Sequence, residues 1–221
     1  MANTQNMTVG KPARLLFFFA LPLMFSNMFQ QLYTVVDTAI VGRGVGMDAL
    51  AALGTVDWLS WMVLGIAQGF TAGFSVRMSQ KFGEGDFPGL RRVIGLSARL
   101  TIFITLLTAV LSQVALPGFL YLLRVPAELS PMATLYVRIL FAGTPCMMFF
   151  NFTASTLRAV GNSKTPLFAM ITASVLNIAL DALTVFVFDW GIAGAAGATV
   201  CAQTVAGGIC AYRIAKTPHL R

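Results

Sequence analysis

Residues 15–42 read LLFFFALPLMFSNMFQQLYTVVDTAIVG and contain a single charged side chain, that of Asp37. A membrane-spanning helix needs about 20 predominantly apolar residues, so this run is long enough to cross a bilayer. The apolar region of a cleavable signal peptide is shorter, about 7–15 residues. We therefore expect this stretch to form a first membrane helix that stays in the protein.

Five further apolar runs of similar length follow along the chain. They cover residues 49–76, 100–123, 131–157, 165–188 and 191–212. A helix is expected for each, because an open strand cannot satisfy its backbone groups in lipid. Pro22 in the first run and Pro145 in the fourth each predict a kink or hinge. The connections are short, and the longest is expected between the second and third spans, at residues 81–92.

These runs predict an all-α integral membrane protein that forms one six-transmembrane-helix bundle. The bundle is expected to cover residues 15–214, between tails at residues 1–14 and 215–221. Basic residues favour cytoplasmic termini, because twelve lie on the side of the N-terminus and two on the other. The twelve are Lys11, Arg14, Arg77, Lys81, Arg91, Arg92, Arg99, Arg158, Lys164, Arg213, Lys216 and Arg221, against Arg43 and Arg124. We expect a multi-pass protein of a cell membrane, such as the bacterial inner membrane.

The composition excludes a soluble domain. Of the 221 residues, 57% are hydrophobic and 10% are charged, whereas soluble domains carry about 25% charged residues. The net charge of +7 does not indicate nucleic-acid binding, because the basic residues form no continuous face. The three cysteines have no metal-ligand spacing, and no nucleophile–base pair or phosphate loop is present. The sequence therefore argues against an enzyme and predicts no metal centre and no cofactor.

Polar residues inside the spans are the first functional candidates, because a charge at the centre of a span costs roughly 2.5–3.5 kcal/mol. Asp37 and Asp181 lie about 8–12 Å below the outer boundary, and Thr199 in the sixth span reaches a similar depth. Asn177 shares a helical face with Asp181, four residues away. These four residues predict an oxygen-rich cation site, which would hold Na⁺ between ionised carboxylates or carry H⁺ on one of them.

Other polar residues are candidates for a cavity or substrate path. Asn27, Gln31 and Thr34 form a stripe on the first span that either lines a water-filled route or hydrogen-bonds neighbouring helices. Asp57, in the outer part of the second span, either joins the cavity or touches the interface. Arg138, in the outer part of the fourth span, either extends to the interface or pairs with an acidic residue.

Six stretches of the chain together resemble the multidrug and toxic compound extrusion (MATE) family. They are residues 32–43 (LYTVVDTAIVGR), 49–54 (ALAALG), 79–86 (SQKFGEGD), 157–166 (LRAVGNSKTP), 177–181 (NIALD) and 194–199 (GAAGAT). Any one of them alone would be a weak match. In this order and spacing, over nearly the whole chain, they are specific.

The resemblance implies secondary active export of cationic or amphipathic drug-like compounds, driven by H⁺ or Na⁺, through alternating access between two six-helix bundles. By motif position, Asp37, Asn177, Asp181 and Thr199 correspond to the family's cation site in the N-terminal bundle. Family members carry two bundles in one chain, so this chain corresponds to one lobe. The second bundle would come from a missing C-terminal half, a second copy of the chain or a partner chain.

Two other functions are also considered. A flippase for lipid-linked oligosaccharides, from the same wider superfamily, is expected to have more basic residues in its cavity than Arg138 alone. A membrane module or fragment that does not transport is the other alternative. The retained acidic and amide residues argue against a decayed fragment.

Overall fold

The computed structural model describes residues 12–220, and this part of the chain is almost entirely helical. Residues 1–11 of the expected N-terminal tail, with Lys11, and Arg221 of the C-terminal tail lie outside the described residues. The helices are α1 (Pro12–Gly44), α2 (Met47–Gly83), α3 (Phe87–Leu122), α4 (Ser130–Ala142), α5 (Thr144–Ala159), α6 (Lys164–Ala182) and α7 (Gly191–Ala215). A π-helical turn, Leu183–Val187, extends α6, and a 3₁₀ turn, Pro218–Leu220, follows α7.

The predicted all-helical membrane fold is confirmed. Within residues 12–220, five helices are long and apolar enough to cross a membrane, counting α6 together with its π-helical turn. The helices α4 and α5 form a bent pair that makes a sixth crossing when it is counted as one span. Large apolar side chains such as Phe18, Leu106 and Val114 are exposed on the outer surface. That surface suits lipid, since a soluble protein seldom exposes large apolar patches.

The fourth span bends by 45° between α4 and α5. Pro145 occupies the first turn of α5, two residues after Gly143, so the kink predicted at this proline is confirmed. A proline there removes one backbone hydrogen bond and clashes with the preceding turn. In contrast, α1 continues as one helix through Pro22. Gly143 also allows a close approach of α7, because a Cβ atom at this residue would collide with the side chain of Val200.

The connections differ from those expected. The connection between α2 and α3 covers only residues 84–86, and the longest one among the six spans is residues 123–129, between α3 and α4. The expected long loop at residues 81–92 is therefore wrong. Asp86 caps α3, because its Oδ1 accepts a hydrogen bond from the Gly89 backbone N–H at 2.9 Å, and a capped helix can begin well before its apolar part.

The helix α7 packs into the interior through small residues. The buried face of α7 includes Ala195, Ala198, Ala202 and Ala206, and this helix packs against both α5 and α6. Small side chains let membrane helices approach closely, which is how such bundles gain van der Waals contact. In contrast, α1 packs mainly against α6 and leaves most of its surface uncovered.

Candidate functional site

The carboxylates of Asp37 on α1 and Asp181 on α6 meet inside the bundle. The two helices lie side by side with the same direction, and Ser174 Oγ donates a hydrogen bond to the Phe29 carbonyl oxygen at 3.3 Å. About two turns further along each helix, the two carboxyl groups lie within hydrogen-bonding reach of each other. Asp37 is 7% exposed and Asp181 is 0% exposed. The structure therefore brings together two acidic side chains that stand 144 positions apart in the chain.

Asn177 and Thr199 lie beside this pair of carboxylates. Asn177 precedes Asp181 by one turn of α6, and its Nδ2 donates a hydrogen bond to Thr199 Oγ1 on α7 at 3.4 Å. The amide oxygen Oδ1 of Asn177 has no hydrogen-bond partner in the described part of the chain. The interhelical bond therefore ties α6 to α7 at the level of the carboxylates.

Four buried oxygen atoms of this group have no hydrogen-bond partner among residues 12–220: Asp37 Oδ1, Asn177 Oδ1 and both carboxylate oxygens of Asp181. Unpartnered buried polar atoms are uncommon, because each one costs free energy that a hydrogen bond would offset. All four are oxygens, the ligand type that suits a hard cation, and a proton shared between the two carboxylates would partner one oxygen of each. The residues present thus fit either H⁺ or Na⁺.

A cleft of about 510 Å³ opens in front of the carboxylates. Asp37 and Thr199 line the cleft, whereas Asn177 and Asp181 are not among its lining residues and are almost completely buried. The predicted path residues Asn27, Gln31, Thr34 and Asp57 also line it. Of the two positions considered for Asp57, the structure has the one in the cavity.

Arg138 lies elsewhere, and its inclusion among the cavity residues is corrected. Its side chain is exposed and borders a separate surface pocket with Ser130 and Thr134. Within residues 12–220 it forms no ion pair with an acidic residue. Its backbone carbonyl accepts a hydrogen bond from Gln113 Nε2 at 2.8 Å, which links α3 to α4. The helix turns this position outward, and the sequence alone does not fix that rotation.

The cleft also contains polar residues that the sequence did not single out. These are Ser26, Tyr33, Ser60, Gln68, Tyr136, Asn151, Arg158 and Gln203, and Gln30 of the first span lines the cleft as well. Two of them could have been found by helical spacing, since Tyr33 precedes Asp37 by four residues and Gln203 follows Thr199 by four. These two also meet, because Gln203 Nε2 donates a hydrogen bond to the Tyr33 hydroxyl at 3.3 Å.

Comparisons with known proteins agree with one another. The MatE family model matches residues 22–183. The probable multidrug resistance protein YpnP of Bacillus subtilis is 32% identical over 207 residues, which are 91% of this chain and 45% of that protein. The probable multidrug resistance protein NorM of Thermotoga maritima is 29% identical over 204 residues, 89% of this chain and 43% of that protein.

A solved structure shows the same relation in three dimensions. The crystal structure of the Vibrio cholerae MATE transporter VcmN in its bent form superposes with a TM-score of 0.87 at 28% identity. The superposition covers 95% of this chain and 48% of that one. The chain thus spans about half the length of the proteins that it matches.

Proposed function

The chain belongs to the MatE family, and on that premise we propose that it forms the N-terminal half of a cation-coupled exporter of drugs or other cationic and amphipathic compounds. Members of this family are transporters, so the chain is not an enzyme, as predicted. It is a multi-pass membrane protein by its family and its apolar helices. The exchange of the exported compound for H⁺ or Na⁺ is the central part of the proposal.

The unpartnered oxygens of Asp37, Asn177 and Asp181 are the observation that carries the proposal. A buried carboxylate pair without a counter-ion is costly in a membrane interior. Binding of a proton or Na⁺ would remove that cost, so entry of a cation would stabilise the site. A gradient of that cation could then drive a change of conformation, because a ligand shifts an equilibrium by its difference in affinity for the two states.

The cleft supports the proposed substrate class. Acidic side chains, Asp37 and Asp57, stand beside aromatic and thioether groups such as Trp61, Tyr136 and Met147. Carboxylates and aromatic faces both attract organic cations, and flexible methionines adapt to ligands of different shape. A cleft of about 510 Å³ is of the size that accommodates drug-like molecules.

Alternating access would require a second six-helix bundle. The chain spans about half the length of its relatives, and apolar side chains of α1 and α2 such as Phe25, Met28 and Ile66 are exposed. The second bundle would be a C-terminal half, a second copy of this chain or a partner chain. The cleft would then lie between two bundles that open in turn to each side of the membrane.

Asp181→Asn tests the cation site in the natural protein that contains this chain, reconstituted in vesicles. We predict that efflux of ethidium driven by an imposed pH or Na⁺ gradient falls to the level of empty vesicles, because the amide cannot exchange a proton and is a weaker ligand for Na⁺. Imposing the two gradients separately on the wild-type protein identifies the coupling ion. Amounts of inserted, monodisperse protein should not change.

Asp189→Asn is the matched control for this experiment. Asp189 is exposed and has a positive φ of 55°, a conformation that asparagine tolerates. This variant should transport like the wild type. Gradient-driven efflux by Asp181→Asn at the wild-type rate would refute the assignment of the cation site.

A further inference from the structure

The cleft contains a cationic side chain as well as carboxylates. Arg158 lines the cleft near the C-terminal end of α5. Its Nε is buried and has no hydrogen-bond partner in the part of the chain that the structure describes. No acidic residue within residues 12–220 forms an ion pair with it, and neither residues 1–11 nor Arg221 adds an Asp or Glu.

Arg158 and the cation site lie at opposite ends of the cleft. Arg158 is close to Cys210 on α7, and Cys210 follows Thr199 by eleven residues, which is about 16 Å along a helix. Side chains on a helix lean toward its N-terminus. That direction along α5 leads away from its C-terminal end and toward the carboxylates, which agrees with the place of Arg158 in the lining of the cleft.

Membrane topology does not by itself explain this position. A basic residue near a helix C-terminus interacts favourably with the helix dipole, and basic residues are frequent on the cytoplasmic side. Lys216, at the C-terminal end of α7, meets both preferences while exposed, and it lies over the ring of Tyr212. Lys164, at the start of α6, is also exposed at the same end of the bundle. Neither of them lines the cleft. Arg158 is therefore a charge directed into the cavity rather than to the membrane surface.

We propose that Arg158 is a binding subsite for a carboxylate or phosphate group of the exported compound. The inference rests on the proposed function and extends its substrate class from organic cations to amphiphiles that carry an acidic group. The guanidinium fork matches the geometry of a carboxylate or phosphate. Asn151 and Gln203 supply further hydrogen-bonding groups to the cleft, and Phe150 and Met170 supply apolar surface. One cleft would thus hold cations at its carboxylate end and anions at its guanidinium end.

Two fluorescent probes of the same length test the proposal. Dansylcadaverine ends in an ammonium group and dansylaminohexanoate ends in a carboxylate, on the same linker. Trp61 lines the cleft, so energy transfer from this tryptophan to the dansyl group reports binding, with Trp61→Phe as the background. The natural protein that contains this chain is used in nanodiscs of a zwitterionic lipid.

Arg158→Gln should weaken binding of the carboxylate probe by at least tenfold and leave the ammonium probe unchanged or tighter. Arg158→Lys should weaken the carboxylate probe less, because it retains the charge but loses the fork. Arg138→Gln is the matched control, since this arginine is exposed outside the cleft, and should change neither probe. If Arg158→Gln does not fold, the test uses the lysine variant and the salt dependence of carboxylate-probe binding to the wild type.

Three results would overturn the inference. One is an unchanged affinity of Arg158→Gln for the carboxylate probe. A second is wild-type protein that binds the ammonium probe but not the carboxylate probe. The third is displacement of the carboxylate probe when anionic lipid replaces the zwitterionic lipid, which would assign Arg158 to a lipid headgroup. Failure of the wild type to bind either probe would instead contradict the proposed function.

Discussion

Gly207 on α7 should not tolerate alanine, whereas its neighbour Gly208 should. A Cβ atom at residue 207 would lie 2.8 Å from Phe149 Cε1 and 3.2 Å from the backbone nitrogen of Phe150 on α5. The half-exposed ring of Phe149 can swing aside, but the backbone of α5 cannot move without separating the two helices. Overpacking of this kind costs about 1–3 kcal/mol.

Gly208→Ala provides the reference for that magnitude. A Cβ atom there would meet nothing within 4 Å, and both substitutions gain the same helix propensity, at most about 1 kcal/mol. Propensity therefore cancels when the two variants are compared, and the difference of about 1–3 kcal/mol reports the contact between α5 and α7 alone. We would measure thermal midpoints of the purified protein in detergent. Equal midpoints for the two variants would refute the close packing of α7 on α5.

Two further predictions concern the start of α3 and the membrane topology. Two contacts hold the pKa of Asp86 below its usual value of 3.8: the larger effect comes from the hydrogen bond donated by the Gly89 backbone N–H, and the second from Lys81, whose Nζ lies 3.1 Å from Asp86 Oδ2. The stabilisation is therefore fully present above that value and is lost as the pH falls through the lowered pKa. Asp86→Ala should melt at a lower temperature than the wild type at pH 7, and the gap should close below about pH 4; a constant gap would argue against this cap. A reporter fused after Arg221 should be cytoplasmic, as the basic residues predict, and a reporter on the opposite side would overturn the six-span topology.

The spans were predictable because a bilayer imposes a length and an apolar composition on every crossing. The same rule explains what was missed. Hydropathy marks the part of a helix that lies in lipid, so it placed the start of the third span at residue 100 although α3 begins at Phe87. The early turns of α3 carry Arg91 and Arg92, which are exposed, and bury Leu90. An amphipathic extension of this kind is visible only by helical periodicity.

The clustering of the candidate cation-site residues was predictable for a related reason. Polar groups are so costly within a span that few of them occur. Counting residues from the outer end of each span gives Asp37, Asp181 and Thr199 similar depths, so they were expected at one level of the bundle. Depth does not give rotation about the helix axis. Arg138 was a candidate for the cavity and lies outside it, whereas Arg158 was interpreted only as a topological charge and lines the cleft. A span with a single charged residue has no polar stripe from which that rotation could be predicted.

The position of Asp37 suggests how cation and substrate would be exchanged on the proposed function. This residue both lines the cleft and contacts Asp181, while Asp181 itself is fully buried behind it. A cation held by the pair would neutralise the carboxylate that an organic cation in the cleft would otherwise approach. The two ligands would therefore compete for the same charge although they occupy different spaces. Occupation of the buried site would release an organic cation from the cleft, and departure of the small cation would restore the attraction.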